Sequence, residues 1–169
     1  MWNPGFPHLE RRPATLTGYH RAFCVYSHHY RGTPERPGLV LGLDEGGQCR
    51  GVAFRVAPEA WDGVVRYLDE RELIGYAYTP VQVPIVFDGG SRAMAHTYIA
   101  DRGHPQFAGK LASADSARLI AAAAGKAGSN RDYAVNLINE LEAHGFPDVH
   151  LHELLEIVVS GRLKSPPGE

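Results

Sequence analysis

The chain has 169 residues, a length that fits one domain with a single continuous core. Hydrophobic residues make up 44% and charged residues 21%, which excludes the composition typical of a disordered protein. The formal net charge is −2 and Lys and Arg form no block, so the sequence argues against a nucleic-acid partner.

The first half of the chain is predicted to be mostly strands. Residues 14–27 mix β-branched, aromatic and aliphatic side chains and predict a strand, and the loop RGTPERPG follows over residues 31–38. Residues 39–43 and 50–56 flank DEGGQC, a spacing that predicts a β-hairpin closed by glycines.

The pattern then changes to a helix and returns to strands. Trp61, Val64, Val65 and Leu68 recur at helical spacing after Pro58, which predicts a helix over residues 58–73. Residues 81–87 and 93–100 alternate in polarity around DGGSR and predict a second hairpin, with one covered face and one wetter face.

The C-terminal third predicts three helices, each ending at or before a glycine: ADSARLIAAAAG, SNRDYAVNLINELEAHG and DVHLHELLEIVVSG. Ser129 and Asp132 form a capping-box-like pair, and Asp148 can cap the last helix. Strands first and helices mostly last predict an α+β fold, with a small antiparallel β-barrel or sheet and flanking helices. We expect a single domain over residues 1–162 and a disordered Pro/Gly-rich tail over residues 163–169.

The cysteines and the first residues indicate the cellular setting. Cys24 and Cys49 have no CxxC or metal-ligand spacing, so a secreted disulfide framework has no support and a reduced setting is favoured. MWNPGFPHLERR lacks a basic segment followed by an apolar run, and no stretch of about 18 apolar residues occurs. We therefore expect a cytoplasmic protein with no membrane partner.

Glu72 is the residue that the helical pattern singles out. On a wheel of about 100° per residue, Glu72 falls roughly 20° from Trp61, on the apolar stripe that continues through Leu68. A carboxylate shielded from water there could both accept and donate a proton, as a general acid/base does. The alternatives are that the helix frays before Glu72 or that its side chain pairs with Arg55 or Arg71 at the surface.

Three glycine-bearing segments could bring their backbones close to a ligand: RGTPERPG, LIGYAY and AAAGKAGSN. None has the order of a P-loop or a dinucleotide fingerprint, and the alternative is that they are simple turns. AAAGKAGSN alone also suggests an anion site at a helix N-terminus.

The remaining candidates for chemistry predict no metal site and no thiol mechanism. His150 and His152 lie in a helical pattern, where positions i and i+2 diverge, and neither they nor His28-His29 belong to an HExxH motif. Cys24 lies mid-strand, where a buried thiol is expected rather than a nucleophile. By periodicity alone, Tyr133 is a core residue.

Taken in order, several segments resemble the ChaC-like family of γ-glutamylcyclotransferases, in its glutathione-degrading branch. They span nearly the whole chain: WNPGFPHLERR, GYHRAFCVYS, RGTPERPGLVLGL, CRGVAFRV, YLDERELIGY, TYIAD and SNRDYAVNLINELEAHGFPD. The combination of RGTPERPG with YLDERE is specific to this family. The resemblance implies an α+β fold built on a small barrel, and conversion of glutathione to 5-oxoproline and cysteinylglycine without a metal or cofactor.

The resemblance also implies a site for a small-molecule substrate, glutathione or another γ-glutamyl compound. The family's catalytic glutamate is the last residue of its YLxxRE motif, which is Glu72 in this chain. The implied substrate-binding positions are Asn130 and Tyr133 in the N-x-x-Y element, Arg31 in the RG-x-P loop, and Gly75 and Tyr76 in the turn after the glutamate. Nothing in the sequence indicates the oligomeric state.

The start of the chain departs from the family pattern. Family members ordinarily have a strand and a YGSL-type loop immediately before the tryptophan matched by Trp2, and that loop cradles the γ-glutamyl group. Here Trp2 follows Met1, so we expect a start assigned to an internal methionine or a truncated form, with weak or no activity without the loop. The alternative function is a catalytically impaired γ-glutamyl-binding or regulatory protein of the same fold.

Overall fold

The computed structural model describes residues 4–75 and 77–161. Predictions for Trp2, for Tyr76 and for the tail over residues 163–169 lie outside these described residues. The elements in chain order are β1 (Glu10–Ser27), β2 (Gly38–Arg55), a 3₁₀ turn (Pro58–Ala60), α1 (Trp61–Glu72), β3 (Tyr78–Phe87), β4 (Arg92–Ala100), α2 (Ser113–Ala122), β5 (Ala124–Gly125), β6 (Gly128–Ser129), α3 (Asn130–Ala143) and α4 (Val149–Ser160).

Strands β2, β1, β3 and β4 form one sheet in that order, and β5 and β6 form a separate ribbon. Strand β3 runs antiparallel to both of its neighbours, β1 and β4. The predicted α+β class is therefore confirmed. Among residues 4–75 and 77–161, no helix combines the length and the apolar character needed to cross a bilayer.

The described chain divides into two compact units. Unit 1 comprises residues 4–21 and 42–105, and unit 2 comprises residues 22–41 and 106–161. The boundaries fall within β1 and β2, so each of these strands contributes residues to both units. The assignment of residues 1–162 to a single domain stays a prediction.

The core of unit 1 forms on the covered face of the β3–β4 hairpin. Val83 and Ile85 are buried on β3, while the intervening Pro84 and the flanking Gln82 and Val86 are exposed, which confirms the predicted alternation. Residues 14–16 of β1 pair with residues 85–87, so Ala14 and Leu16 join the same cluster. The second predicted hairpin is thus confirmed.

The first predicted hairpin is wrong, because Gly38–Arg55 is one continuous strand. Gly46 and Gly47, which the pattern assigned to a turn, have φ values of 98° and 67° within that strand. His20 Nδ1 lies 3.0 Å from the carbonyl oxygen of Gly46. Glycines with positive φ serve β-bulges as well as hairpin turns, so the local pattern does not distinguish the two. Strand β1 also begins earlier than predicted, at Glu10 instead of residue 14.

Helix α1 follows the predicted boundaries closely. Pro58 begins the 3₁₀ turn that leads into the helix, and the last helical residue is Glu72. Val64 and Leu68 are buried, whereas Trp61 at the start of the stripe is 39% exposed and packs edge-on against His96. The helix prediction is confirmed, and the helix does not fray before the candidate carboxylate.

Unit 2 contains the three helices predicted for the C-terminal third. Ser129 Oγ accepts a hydrogen bond from the Asp132 amide at the start of α3, and the Asp148 carboxylate accepts one from the Leu151 amide at the start of α4. Both predicted caps are therefore confirmed. The buried apolar residues of these helices include Ile120, Ala134, Ile138, Leu141 and Leu151.

Candidate functional site

Glu72 is the last residue of α1, in unit 1, and its carboxylate pairs with the neighbouring Arg71. Arg71 Nη2 lies 2.7 Å and Arg71 Nε 2.9 Å from the same oxygen, Glu72 Oε1. The two side chains are 32% and 28% exposed, so the pair is partly shielded and does not stand in open solvent. The sequence raised two alternatives, and one of them, pairing of Glu72 with Arg71, is present. The pair is half-buried and does not lie at an open surface.

Arg71 is held by three further contacts. Its Nη1 donates to the carbonyl oxygen of Pro4 at 3.3 Å and to Tyr67 Oη at 3.4 Å, and its guanidinium lies 5.6 Å from the Tyr67 ring centre. Burial by itself lowers the pKa of Arg71, but the hydrogen bonds to Glu72 and Tyr67 outweigh burial and raise it above its ordinary value. Arg71 is therefore a permanent cation beside the carboxylate.

The first described residues also lie against this end of α1. Gly5 has a φ of 74°, and a Cβ atom at Gly5 would overlap Tyr67 Oη. Only glycine fits this position without displacing Tyr67. Pro4 and Gly5, the described part of the WNPG segment, therefore lie beside Arg71 and Tyr67.

A second carboxylate in α1, Asp69, receives a hydrogen bond that the sequence analysis did not anticipate. Tyr98 of β4 donates its phenol hydrogen to Asp69 Oδ1 at 2.6 Å. His96 Nε2 lies 3.2 Å from the same phenol oxygen, and the Gln82 side chain lies 3.4 Å from His96 Nδ1. This chain of polar side chains fastens the last turns of α1 to the β3–β4 hairpin. The sequence indicated TYIAD only as part of the family resemblance. It did not predict the bond from Tyr98 to Asp69, because the two residues lie 29 positions apart along the chain.

Tyr98 should make the stability of the protein sensitive to alkaline pH. Burial, the hydrogen bond to Asp69 and the negative charges of Asp69 and Glu72 raise the pKa of Tyr98 above its ordinary value of 10.0. Its stabilising contribution is therefore fully present below about pH 10 and is lost as the pH rises through the folded-state pKa. We expect the free energy of unfolding to fall more steeply above about pH 10 in the wild type than in Tyr98→Phe.

Urea unfolding at a series of pH values measures this difference. Tyr30→Phe is the matched control, because Tyr30 is 45% exposed and its substitution should leave the alkaline slope unchanged. Equal slopes for the wild type and Tyr98→Phe would show that the Tyr98–Asp69 bond has no such effect.

In unit 2, Asn130 connects the start of α3 to the end of the RGTPERPG loop. The Asn130 side chain is 0% exposed. Its Oδ1 accepts from the Leu39 amide at 2.7 Å, and its Nδ2 donates to the Leu39 carbonyl at 2.7 Å. Asn130 thus pairs with Leu39 as a neighbouring strand would, and both polar ends of its amide are used.

Two glycines let the loop close on itself. A Cβ atom at Gly32 would overlap the amide nitrogen of Gly38, and one at Gly38 would overlap the Arg31 carbonyl oxygen and lie 2.7 Å from Asn130 Oδ1. The neighbours are main chain or a fixed side chain, so neither glycine can be replaced without moving the loop. The spacing of glycines in RGTPERPG therefore reflects close packing within the loop.

Arg31 of this loop lies against Tyr133 of α3. Arg31 Nη1 donates to the carbonyl oxygens of Ala127 at 2.6 Å and Ser129 at 3.3 Å, and its guanidinium lies 5.2 Å from the Tyr133 ring centre. Tyr133 Oη accepts a hydrogen bond from the Leu41 amide at 3.3 Å. The structure therefore brings three of the predicted substrate-binding residues, Arg31, Asn130 and Tyr133, together in unit 2.

The predicted residues of unit 1 are Glu72 and Gly75. Gly75 has a φ of 87° in the exposed turn that follows α1, a conformation that favours glycine. The third predicted residue of this segment, Tyr76, lies outside the described residues. The substrate-binding roles of all these residues stay predictions.

The AAAGKAGSN segment forms the β5–β6 ribbon, which the sequence analysis did not predict. The amides of Lys126 and Ala127 donate to the carbonyl oxygens of His29 and Tyr30, both at 2.9 Å. A Cβ atom at Gly125 would lie 2.5 Å from the His29 carbonyl oxygen, which accounts for the glycine. The segment is therefore a tight turn that packs against residues 29 and 30, as the alternative reading of the sequence held.

Other candidates from the sequence have structural partners. His152 Nδ1 lies 2.7 Å from a carboxylate oxygen of Glu142, and its Nε2 lies 3.8 Å from Glu156. Cys24 is 1% exposed in β1, which confirms the expected buried thiol. Across residues 4–75 and 77–161, no three His, Cys, Asp or Glu side chains cluster closely enough to hold a metal ion.

Comparison with known sequences identifies a family and several named relatives. The family model described as "ChaC-like protein" matches residues 1–161. The "Glutathione-specific gamma-glutamylcyclotransferase" of Escherichia coli (strain K12) is 38% identical over 155 residues, covering 92% of this chain and 67% of that protein. The Schizosaccharomyces pombe protein of the same name is 32% identical over 179 residues, covering 91% of this chain and 85% of that protein.

Comparison with solved structures supports the fold. The crystal structure of a selenomethionine-labelled γ-glutamyl cyclotransferase specific to glutathione from yeast matches with a TM-score of 0.81. It is 24% identical in sequence, and the match covers 92% of this chain and 90% of the yeast chain. The α+β arrangement read from the sequence is thus shared with a solved structure.

Proposed function

Because the chain belongs to the ChaC-like family, we propose that it is a glutathione-specific γ-glutamylcyclotransferase, which converts glutathione to 5-oxoproline and cysteinylglycine. The observation that carries this proposal is the family match over residues 1–161. The structure adds a partly shielded carboxylate, Glu72, at the end of a helix that does not fray. The enzyme is thus proposed to act on a small molecule.

In the proposed reaction, Glu72 acts as the general base and then as the general acid. Its carboxylate takes a proton from the α-ammonium of the γ-glutamyl group, and the freed amine attacks the γ-carbonyl carbon. A five-membered ring closes, the bond from that carbon to the cysteine nitrogen breaks, and Glu72 returns the proton to the departing amine. Nucleophile and electrophile belong to one molecule, and effective molarities in such cases reach about 10⁵ M or more.

Arg71 and Glu72 also suit the first step electrostatically. The Arg71 guanidinium lies 2.7 Å from Glu72 Oε1, so a positive charge stands beside the carboxylate that is proposed to accept the proton. The pair is half-buried, so the attraction is screened less than it would be at an open surface.

For unit 2 we propose that Tyr133 contributes to holding the substrate. Arg31 and Asn130 are proposed to support Tyr133 and the loop next to it. The Tyr133 ring is confined by the Arg31 guanidinium and by Phe23, whose ring meets it edge-on at 6.2 Å. Asn130 is fully buried with both polar ends on Leu39, so it can influence the substrate only through the loop that it holds. Full burial distinguishes Asn130 from a residue that contacts the substrate directly.

A direct assay tests the proposed function. Purified protein is incubated with glutathione, and 5-oxoproline and cysteinylglycine are measured by liquid chromatography. We expect slow formation of the two products in equal amounts, and still slower turnover of γ-glutamylalanine under the same conditions. Preference for the dipeptide would reassign the substrate, and calorimetric binding of glutathione without turnover would favour the impaired, regulatory alternative.

The cellular setting is proposed on the sequence alone. The spacing of Cys24 and Cys49, which gives no support to a disulfide framework, favours a cytoplasmic location. Partners other than the small-molecule substrate are not expected, since the charge pattern disfavours nucleic acid. Fractionation of cells that express a tagged chain tests the location.

A further inference from the structure

The contact between Arg71 and Glu72 is asymmetric. Both guanidinium nitrogens, Nε and Nη2, donate to the single oxygen Oε1. Across residues 4–75 and 77–161, every hydrogen bond to the Glu72 carboxylate reaches Oε1. A symmetric fork would occupy both oxygens, as Arg–carboxylate pairs often do. Among the residues that the structure describes, Oε1 is held by Arg71 and Oε2 receives no hydrogen bond.

Arg71 is itself fixed from the opposite side. Its Nη1 donates to the Pro4 carbonyl and to Tyr67 Oη, and its guanidinium lies over the Tyr67 ring. These contacts involve a nitrogen that does not touch Glu72, so the guanidinium is held in one plane while Nε and Nη2 bind the carboxylate. The three guanidinium nitrogens of Arg71 thus connect Glu72 to Pro4 and to Tyr67 in the preceding turn of α1.

We propose that Arg71 is a positioning residue that holds Oε1 of Glu72 and thereby aims Oε2 at the substrate amine. This inference rests on the proposed function, because it assigns the proton transfer to one oxygen of the proposed general base. A flexible glutamate side chain samples several rotamers, and only some of them place the carboxylate in a reactive geometry. Holding the carboxylate in one orientation removes the unreactive rotamers. Arg71 acts through Glu72 and does not itself exchange the proton.

The geometry requires arginine in particular. The guanidinium is planar and presents its donors in a fixed fork, whereas a lysine ammonium is a single point charge on a flexible stem. Lysine at position 71 would keep the positive charge beside Glu72 but could not hold Oε1 while also contacting Pro4 and Tyr67. Arg71→Lys therefore separates the effect of the positive charge at position 71 from its effect on the orientation of the Glu72 carboxylate.

The first test compares Arg71→Lys with the wild type in steady-state turnover of glutathione. We expect kcat to fall by about 10²-fold, the loss typical of a misplaced catalytic group, and KM to change little. Arg50→Lys is the matched control, because Arg50 forms an exposed ion pair with Asp88 at 2.6 Å in the same unit and should leave kcat unchanged. A kcat for Arg71→Lys equal to that of the wild type would overturn the inference, as would a large rise in KM, since that rise would place Arg71 on the substrate.

The second test separates positioning from a merely structural role. Arg71→Ala removes the fork, and millimolar guanidinium, well below denaturing concentrations, is then added to fill the space. We expect guanidinium to restore part of the lost kcat and methylammonium at the same concentration to restore none. Equal effects of the two cations would overturn the inference, because only charge would then matter. Thermal melting of each variant reports whether the fold is retained.

The two hypotheses fail in different ways. If the wild type forms no 5-oxoproline, the proposed function fails, and the positioning role of Arg71 that rests on it fails as well. If the wild type forms 5-oxoproline and Arg71→Lys is equally fast, the function stands and the positioning role of Arg71 is rejected. If Glu72→Gln is inactive while Arg71→Lys retains full kcat, Glu72 is essential and needs no guanidinium to orient it.

Discussion

Replacing Glu72 by Gln is expected to lower kcat for glutathione by about 10²–10⁴-fold, the range associated with loss of a general acid/base. The amide has nearly the same shape as the carboxylate and its oxygen can still accept hydrogen bonds from Arg71. It cannot take up the proton of the substrate ammonium, so the chemical step is lost while the local packing remains. Because Glu72 is partly exposed, the melting temperature should change little.

Glu70→Gln is the matched control for this experiment. Glu70 lies in the same turn of α1, is exposed, and loses the same charge on substitution. We expect its kcat to remain within about twofold of the wild type, a difference of less than 0.5 kcal/mol. An active Glu72→Gln variant would remove Glu72 from the mechanism, and an equal loss in both variants would point to a general effect of charge.

Replacing Asn130 by Asp is expected to destabilise the protein by about 3–5 kcal/mol, the cost of an unpaired buried charge. The substitution conserves volume, but the carboxylate cannot donate to the Leu39 carbonyl that now lies 2.7 Å from Nδ2. Asn130 is the first residue of α3, where a negative charge gains about 0.3–1 kcal/mol from the helix dipole. That gain is smaller than the cost, so the net effect should be a clear loss.

Urea denaturation measures this loss as a shift in midpoint at constant slope. Asn136→Asp, at an exposed position of the same helix, is the control and should change the free energy of unfolding by less than about 0.5 kcal/mol. Asn130→Ala should also destabilise, by about 2–4 kcal/mol, because both main-chain groups of Leu39 lose their partner. Wild-type stability in Asn130→Asp would mean that the Asn130–Leu39 pair does not hold the loop.

The two experiments together divide the predicted site residues by role. Glu72→Gln should lower kcat and leave the free energy of unfolding nearly unchanged. Asn130→Asp should mainly lower the free energy of unfolding. The difference follows from burial: the Glu72 side chain is 28% exposed, and Asn130 is 0% exposed with both polar ends paired. A fully buried side chain whose amide oxygen and nitrogen are both paired with main chain can support a site but has no exposed surface to offer a ligand.

Within the site, the sequence located residues better than it located their partners. It placed Glu72 at the end of a helix by period alone, and the family resemblance chose the same residue. It left open whether Arg55 or Arg71 would pair with Glu72, and the structure shows Arg71. The hydrogen bond from Tyr98 to Asp69 was not foreseen, because nothing in the local pattern of β4 indicates which helix residue its phenol will meet.

Local pattern by itself determined the helices of the C-terminal third, the β3–β4 hairpin, the caps at Ser129 and Asp148, and the position of Glu72 on α1. These features depend on periods of 3.6 or 2 residues and on side chains that bond to main chain nearby. Tertiary structure decided that Gly46 and Gly47 lie within a continuous strand, that Asn130 pairs with Leu39 from 91 positions away, and that Arg71 holds a single oxygen of Glu72. The physical reason is that such choices depend on which distant groups compete for the same donors and the same space, and this competition exists only once the chain has folded.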